Sequence, residues 1–98
     1  MKRNILHTAI DLLSRREHSI LEIKQKLRIR DYPQQEIENV IERLIKDDYL
    51  SEERYADSLF RQRLNKGYGW RFISNELSLK GVNDNIIREL LKNYQIDW

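Results

Sequence analysis

Apolar residues recur along this chain with the period of an α-helix, and no stretch alternates apolar and polar positions for more than a few residues. The spacing Leu6, Ala9, Ile10 and Leu13 predicts a first helix over about residues 3–16. Ser19 is placed to cap a second helix, and Glu22, three residues on, completes a capping box. The apolar stripe of that helix is Ile20, Ile23 and Leu27, and Asp31-Tyr32-Pro33 ends it. Pro33 suits the first turn of a third helix, where a missing N–H leaves nothing unsatisfied. The stripe there is Ile37, Val40, Ile41, Leu44 and Ile45, and the helix should stop near Asp48-Tyr49. Ser51 caps a fourth, whose acidic start Glu52-Glu53 favours the positive helix end, and whose inner face is Tyr55, Ala56, Leu59 and Phe60. Gly67 reads as a left-handed residue just past the end of that helix. A fifth helix, burying Trp70, Ile73 and Leu77, runs to Gly81. Asn83 or Asp84 caps a sixth with Ile87, Leu90, Leu91 and Tyr94 inward, and residues 95–98 form a short tail.

These stripes repeat. At an offset of 47, Ala9, Leu12, Leu13 and Arg16 fall on Ala56, Leu59, Phe60 and Arg63. At an offset of 50, Ile20, Ile23, Leu27 and Tyr32 fall on Trp70, Ile73, Leu77 and Val82, and Ile37, Val40, Ile41 and Leu44 on Ile87, Leu90, Leu91 and Tyr94. The offset shifts once, where Lys66-Gly67-Tyr68 is added between the first two helices of the second copy. The expected architecture is therefore all-α: two tandem three-helix repeats, residues 1–49 and 50–98, in a short, elongated, solenoid-like array.

Composition narrows the class. Of 98 residues, 40% are hydrophobic and 35% charged, so the chain folds around thin cores with much charge outside. With no cysteine there is neither a disulfide framework nor a thiolate metal site. No apolar run approaches the roughly 20 residues of a membrane span, and nothing resembles a signal peptide, so a cytoplasmic protein without a membrane partner is expected. The net charge of +2 conceals segregation. Residues 1–30 hold eight Lys/Arg and three Asp/Glu, residues 33–53 two and seven, and residues 54–71 five and one. Blocks of this kind attract charged partners.

The sequence gives little support to an enzyme. It holds no Ser-His-Asp or Cys-His set, and His7 and His18 stand eleven positions apart as ordinary surface or partly buried residues. Glu36, Glu38 and Glu42 read as solvated helix charges. Gly67-Tyr68-Gly69 is too short for a phosphate-binding fingerprint and follows no strand. Neither cofactor, metal nor small-molecule substrate is expected. Binding is better supported. Arg54, Arg61, Arg63, Lys66 and Arg71 bracket Tyr68 and Trp70, a mixture that suits phosphates and bases or a carboxylate-rich protein surface. Trp70 aligns with Ile20 and reads as core, whereas Tyr68 has no core counterpart and reads as a surface anchor. Gly67 and Gly69 are expected to shape the backbone of the turn. Arg15, Arg16 and Arg30 complete the candidate partner-binding set from the first basic block.

The same residues resemble the RecX family of RecA regulators. The segments that carry the likeness are Ser14-Arg15-Arg16-Glu17-His18-Ser19 with Glu22 and Leu27, and Tyr49-Leu50-Ser51-Glu52-Glu53-Arg54-Tyr55-Ala56. They continue in Arg63 with Lys66-Gly67-Tyr68-Gly69, then Ile73, Glu76-Leu77 and Lys80-Gly81. The resemblance covers about residues 9–98. It implies an all-helical protein of three-helix repeats without a catalytic site. Such a protein binds in the groove of the RecA–DNA filament and inhibits its ATPase, strand-exchange and coprotease activities in DNA repair and the SOS response. Single- and double-stranded DNA are further candidate partners. The family usually has a third three-helix repeat, and this chain stops where that repeat would begin. The rival reading is a helix-turn-helix-like DNA-binding domain, against which no helix carries a compact run of Asn, Gln and Arg suited to base edges.

Overall fold

The structure, a computed structural model, describes residues 3–94. It contains six helices, and no strand occurs among the described residues: α1 (Ile5–Arg15), α2 (Ile20–Ile29), α3 (Gln34–Lys46), α4 (Glu52–Asn65), α5 (Trp70–Leu79) and α6 (Asp84–Asn93). The expected tail at 95–98 lies outside the described residues. The chain divides into two compact units, Met1–Ser51 and Glu52–Trp98. In each unit every helix packs on the other two.

Each unit has its own core, and the two cores use equivalent positions. In the first, Ala9, Leu12, Ile23, Leu27, Tyr32, Ile37, Val40, Ile41 and Leu44 are buried, with Leu50 sealing the end. In the second, Ala56, Leu59, Phe60, Ile73, Leu77, Val82, Ile87 and Leu90 are buried together with Tyr55. The repeat read from the stripes is thus a repeat of packing. Several expected core residues lie at its margin: Leu6, Ile10, Leu13, Ile20 and Tyr94 are only partly buried, and three others are of note. Ile45 is 46% exposed, because Leu44 already fills the arc begun by Ile37 and the next residue falls 100° away. Leu91 is half-buried, whereas its counterpart Ile41 is buried. Trp70 is half-buried as well, its ring tilted against Phe60 at a centroid distance of 5.6 Å.

Two tyrosine hydroxyls fasten the ends of these bundles. Tyr32 donates to the Arg3 carbonyl at 2.6 Å and shares a hydrogen bond of 2.9 Å with the Thr8 hydroxyl. Tyr94 packs on Phe60 and donates to Asp57 Oδ1 at 2.6 Å. Burial, aided by the Asp57 bond, pushes the Tyr94 hydroxyl above its usual pKa.

Four helices stop in the same way. The residue two past the last helical position adopts positive φ: Asp31 and Asp48 at 64°, Gly67 at 90° and Gly81 at 83°. The following N–H then reaches back to the carbonyl five residues earlier, Tyr32 to Leu27, Tyr49 to Leu44, Tyr68 to Arg63 and Val82 to Leu77, at 2.9–3.3 Å. This is the Schellman arrangement, which satisfies carbonyls the helix end would otherwise leave open. Glycine enters that conformation without strain, and aspartate is among the few other residues that tolerate it. The left-handed Gly67 agrees with the sequence reading. Gly69 does not: its φ of −83° is open to any residue, and it stands as the N-cap of α5. Pro33 likewise sits one place earlier than expected, as the N-cap of α3.

Candidate functional site

The turn between α4 and α5 brings the candidate aromatics and cations into solvent. Once Gly67 has reversed the chain, Tyr68 is held by its N–H on the Arg63 carbonyl at 3.0 Å. Its ring lies parallel to that of Phe72, one helical turn into α5, with centroids 4.4 Å apart and planes 12° apart. Tyr68 is 44% exposed and Phe72 52%, so two large rings stack on one another and leave their outer surfaces to water. Lys66, Gly67, Gly69 and Arg71 are exposed around them. Neither Lys66 nor Arg71 has a carboxylate partner among the described residues. Phe72 is not singled out by the sequence reading: Tyr68 precedes the N-cap of α5, so the stacking depends on the turn's geometry and not on a helical spacing.

The other candidate cations are engaged. Arg63 forks onto Glu76, Nε to Oε1 at 2.7 Å and Nη2 to Oε2 at 2.8 Å, tying the end of α4 to the middle of α5. That bond raises the Arg63 pKa further. Arg16 makes the corresponding clasp in the first unit, with Nη1 3.2 Å and Nη2 3.0 Å from the two oxygens of Glu22. Arg15 pairs with Asp11 at 3.3 Å and Arg61 with Asp57 at 3.0 Å, each along its own helix. Arg54 has an interaction within the chain and lines a groove of about 510 Å3 between α4 and α6, beside Asp57 and Glu89. Arg30 donates to the Lys26 carbonyl at 3.0 Å, completing the end of α2. Within the first unit Arg15 and Arg30 do come together, sharing with Arg3, Asp11 and Tyr32 the wall of a cavity of about 380 Å3.

A buried histidine paired with a half-buried lysine, a contact not foreseen in the sequence, stands next to the Arg16 clasp. His18 is 1% exposed rather than at the surface. Its Nδ1 lies 3.0 Å from the Arg16 carbonyl and its Nε2 2.8 Å from Lys26 Nζ. Nδ1–H donates to the carbonyl and Nε2 accepts from the ammonium, an arrangement that requires a neutral ring. Burial, with help from the Arg16 and Lys26 charges, holds the His18 pKa below its usual value. Burial also lowers the Lys26 pKa, as does the nearby Arg16. No group of three or more His, Cys, Asp or Glu side chains able to hold a metal occurs among the described residues, and no helix there is long and apolar enough to cross a membrane.

Comparison with known proteins adds to this geometry. A family model described as the first three-helix domain of RecX matches residues 6–44, and one described as its second three-helix domain matches residues 51–91. A "Regulatory protein RecX" of Vibrio vulnificus (strain CMCP6) is 43% identical over 91 residues, which are 93% of this chain and 60% of the relative. One of Pseudomonas entomophila (strain L48) is 42% identical over 94 residues, 96% of this chain and 61% of the relative. The crystal structure of RecX from Lactobacillus salivarius superposes with a TM-score of 0.83 at 32% identity, over 92% of this chain and 59% of that one. A second crystal structure, of a regulatory protein RecX, matches the fold with a TM-score of 0.80 at 24% identity. This chain spans about 60% of the length of the curated relatives.

Proposed function

This chain belongs to the RecX family, and from that premise we propose that it binds the filament RecA forms on DNA and restrains the filament's ATPase, strand-exchange and coprotease activities. The observation that supports the reading is the match of two consecutive RecX domains across most of the chain, beside relatives named regulatory proteins. The regulator acts by binding, in the cytoplasm, and performs no reaction of its own. The candidate contact set is Arg15, Arg16, Arg30, Arg54, Arg61, Arg63 and the Lys66–Arg71 turn. Within it, Lys66, Tyr68 and Arg71, which are exposed, meet the partner directly in this proposal, while Arg16 and Arg63 act mainly by holding their turns.

The test is a titration of the purified chain into RecA assembled on single-stranded DNA, following ATP hydrolysis and retention of the chain on the filament. Bare single strand and duplex are run alongside. The proposal expects a falling hydrolysis rate and stronger retention on filament than on either DNA. Unchanged hydrolysis with no retention on filament refutes it. Retention on duplex above filament favours the helical DNA-binding reading instead.

A further inference from the structure

The two units are built on one plan, so each serves as the other's control, and they part company at one place. With the second helices aligned at an offset of 50, Ser19 and Glu22 correspond to Gly69 and Phe72, and Tyr68, the last of the three added residues, stands just before the cap where the first unit has His18. In the first unit these positions secure the turn. The Glu22 N–H donates to Ser19 Oγ at 3.1 Å, the Ser19 N–H donates to Glu22 Oε1 at 3.0 Å, Arg16 clasps the same carboxylate, and His18 is buried. In the second unit all of this is gone. Gly69 offers no side chain to cap α5, and Arg63, finding a ring at position 72, reaches one turn further to Glu76. The residues beneath do not require the change, since Ile23 and Leu27 are as fully buried as Ile73 and Leu77. A side-chain capping box has been replaced by a bare glycine cap and two exposed rings outside the core. Departures from local rules that bring no structural return mark functional positions.

We propose that the stacked Tyr68–Phe72 pair is the anchor by which the second unit grips a protein partner, one presenting an apolar cleft rimmed by carboxylates. Three observations choose this partner class. Lys66 and Arg71, next to the rings in the chain, lack carboxylate partners among the described residues and are available to acidic groups. Leu79, 71% exposed, lies seven residues from Phe72 and so on the same side of α5. An aliphatic continuation fits a protein cleft and offers little to a nucleobase. Rings already stacked in the free chain also lose little freedom on binding, as interface anchors do. The proposal rests on the functional reading above for its partner, the RecA filament, and names the surface that would meet it.

The test uses the whole chain with the first unit's chemistry moved into the second, Gly69→Ser with Phe72→Gln, a combination that restores the capping box without adding charge. Tyr68→Ala and Phe72→Tyr accompany it. Melting temperature, filament binding and binding to bare single strand are measured for each. The capped variant should melt at or slightly above the parent, glycine being only a few tenths of a kcal/mol poorer than serine as a cap, yet bind filament at least about tenfold more weakly, as removal of an interface anchor does. Tyr68→Ala should lose binding similarly without melting early, and Phe72→Tyr should keep it. A capped variant that binds filament as the parent does overturns the proposal. So does a loss of binding accounted for by a lower melting point, because the rings are then structural. If the variants lose only bare single-strand binding, the pair is a base-stacking surface and the protein partner is wrong. A parent chain that does not bind filament overturns the functional reading and carries this inference with it; a parent that binds while every variant matches it overturns this inference alone.

Discussion

Removing the Arg63 guanidinium tests whether a residue in the basic cluster serves structure or contact. The clasp joins α4 to α5 across thirteen residues with two bonds of 2.7 and 2.8 Å. Its side chains are 23% and 21% exposed. Exposed ion pairs contribute about 0–1 kcal/mol, and breaking a fully buried one costs about 3–5 kcal/mol. A pair about four-fifths covered, with forked geometry, lies between, so Arg63→Ala should cost about 2 kcal/mol. For a chain of this size that lowers the melting temperature by roughly 8–16 °C. Arg63→Lys keeps the charge but loses the fork and should cost about half as much. A double-mutant cycle with Glu76→Gln, read by thermal melting, should return a coupling of about 1–2 kcal/mol. If Arg63→Ala melts with the parent and loses filament binding, Arg63 is a contact residue and the clasp is incidental.

Further outcomes follow from the turns and from His18. Gly67→Ala should cost about 1 kcal/mol, because an added Cβ would meet nothing within 4 Å and only the left-handed backbone resists it. Gly69→Ala, at a negative φ and equally open, meets no strain, but alanine is a poorer N-cap than glycine, so it should cost a few tenths to about 1 kcal/mol by the same melting assay. The unfolded chain protonates His18 near pH 6.5 and the folded chain only at lower pH, so stability should fall as pH drops from about 6.5. The slope is at most about 1.4 kcal/mol per pH unit, and His18→Gln should flatten it in a series of melts across pH 5–8. Filament binding should weaken steeply with salt if the free cations meet phosphates or carboxylates, and salt-independent binding would count against that.

What the sequence revealed followed from periodicity. Ile23, Leu27, Ile73 and Leu77 recur at helical spacing, so their burial, and the repeat itself, could be read from position alone. Ser19 and Glu22 announced their capping box because it is satisfied within four residues. Asp11 with Arg15 and Asp57 with Arg61 also stood at i and i+4, yet the arginines were read as available when the carboxylates one turn away already held them. The Arg63–Glu76 clasp depends on the angle at which α5 leaves the turn, which no local pattern encodes. His18 is buried by the same turn that hides it from periodicity. Asp31 and Asp48 were missed as left-handed residues because the expectation there looks first for glycine.

Leu50, buried in the first core, has a bearing on how the protein is made. Every buried residue of that core lies at or before position 50, and the second core begins at Tyr55. A ribosome adding residues from the N-terminus therefore releases everything the first bundle needs before the second core has left the exit tunnel. The other buried residues of its cluster precede Leu50 in the chain, so its emergence completes the first hydrophobic assembly. The first bundle can close during translation while the second is still being made, at chain speeds of about 5–20 residues per second that are slow beside helical folding. Nascent chains arrested at increasing lengths should become protease-resistant in two steps, the earlier once Leu50 has cleared the exit tunnel.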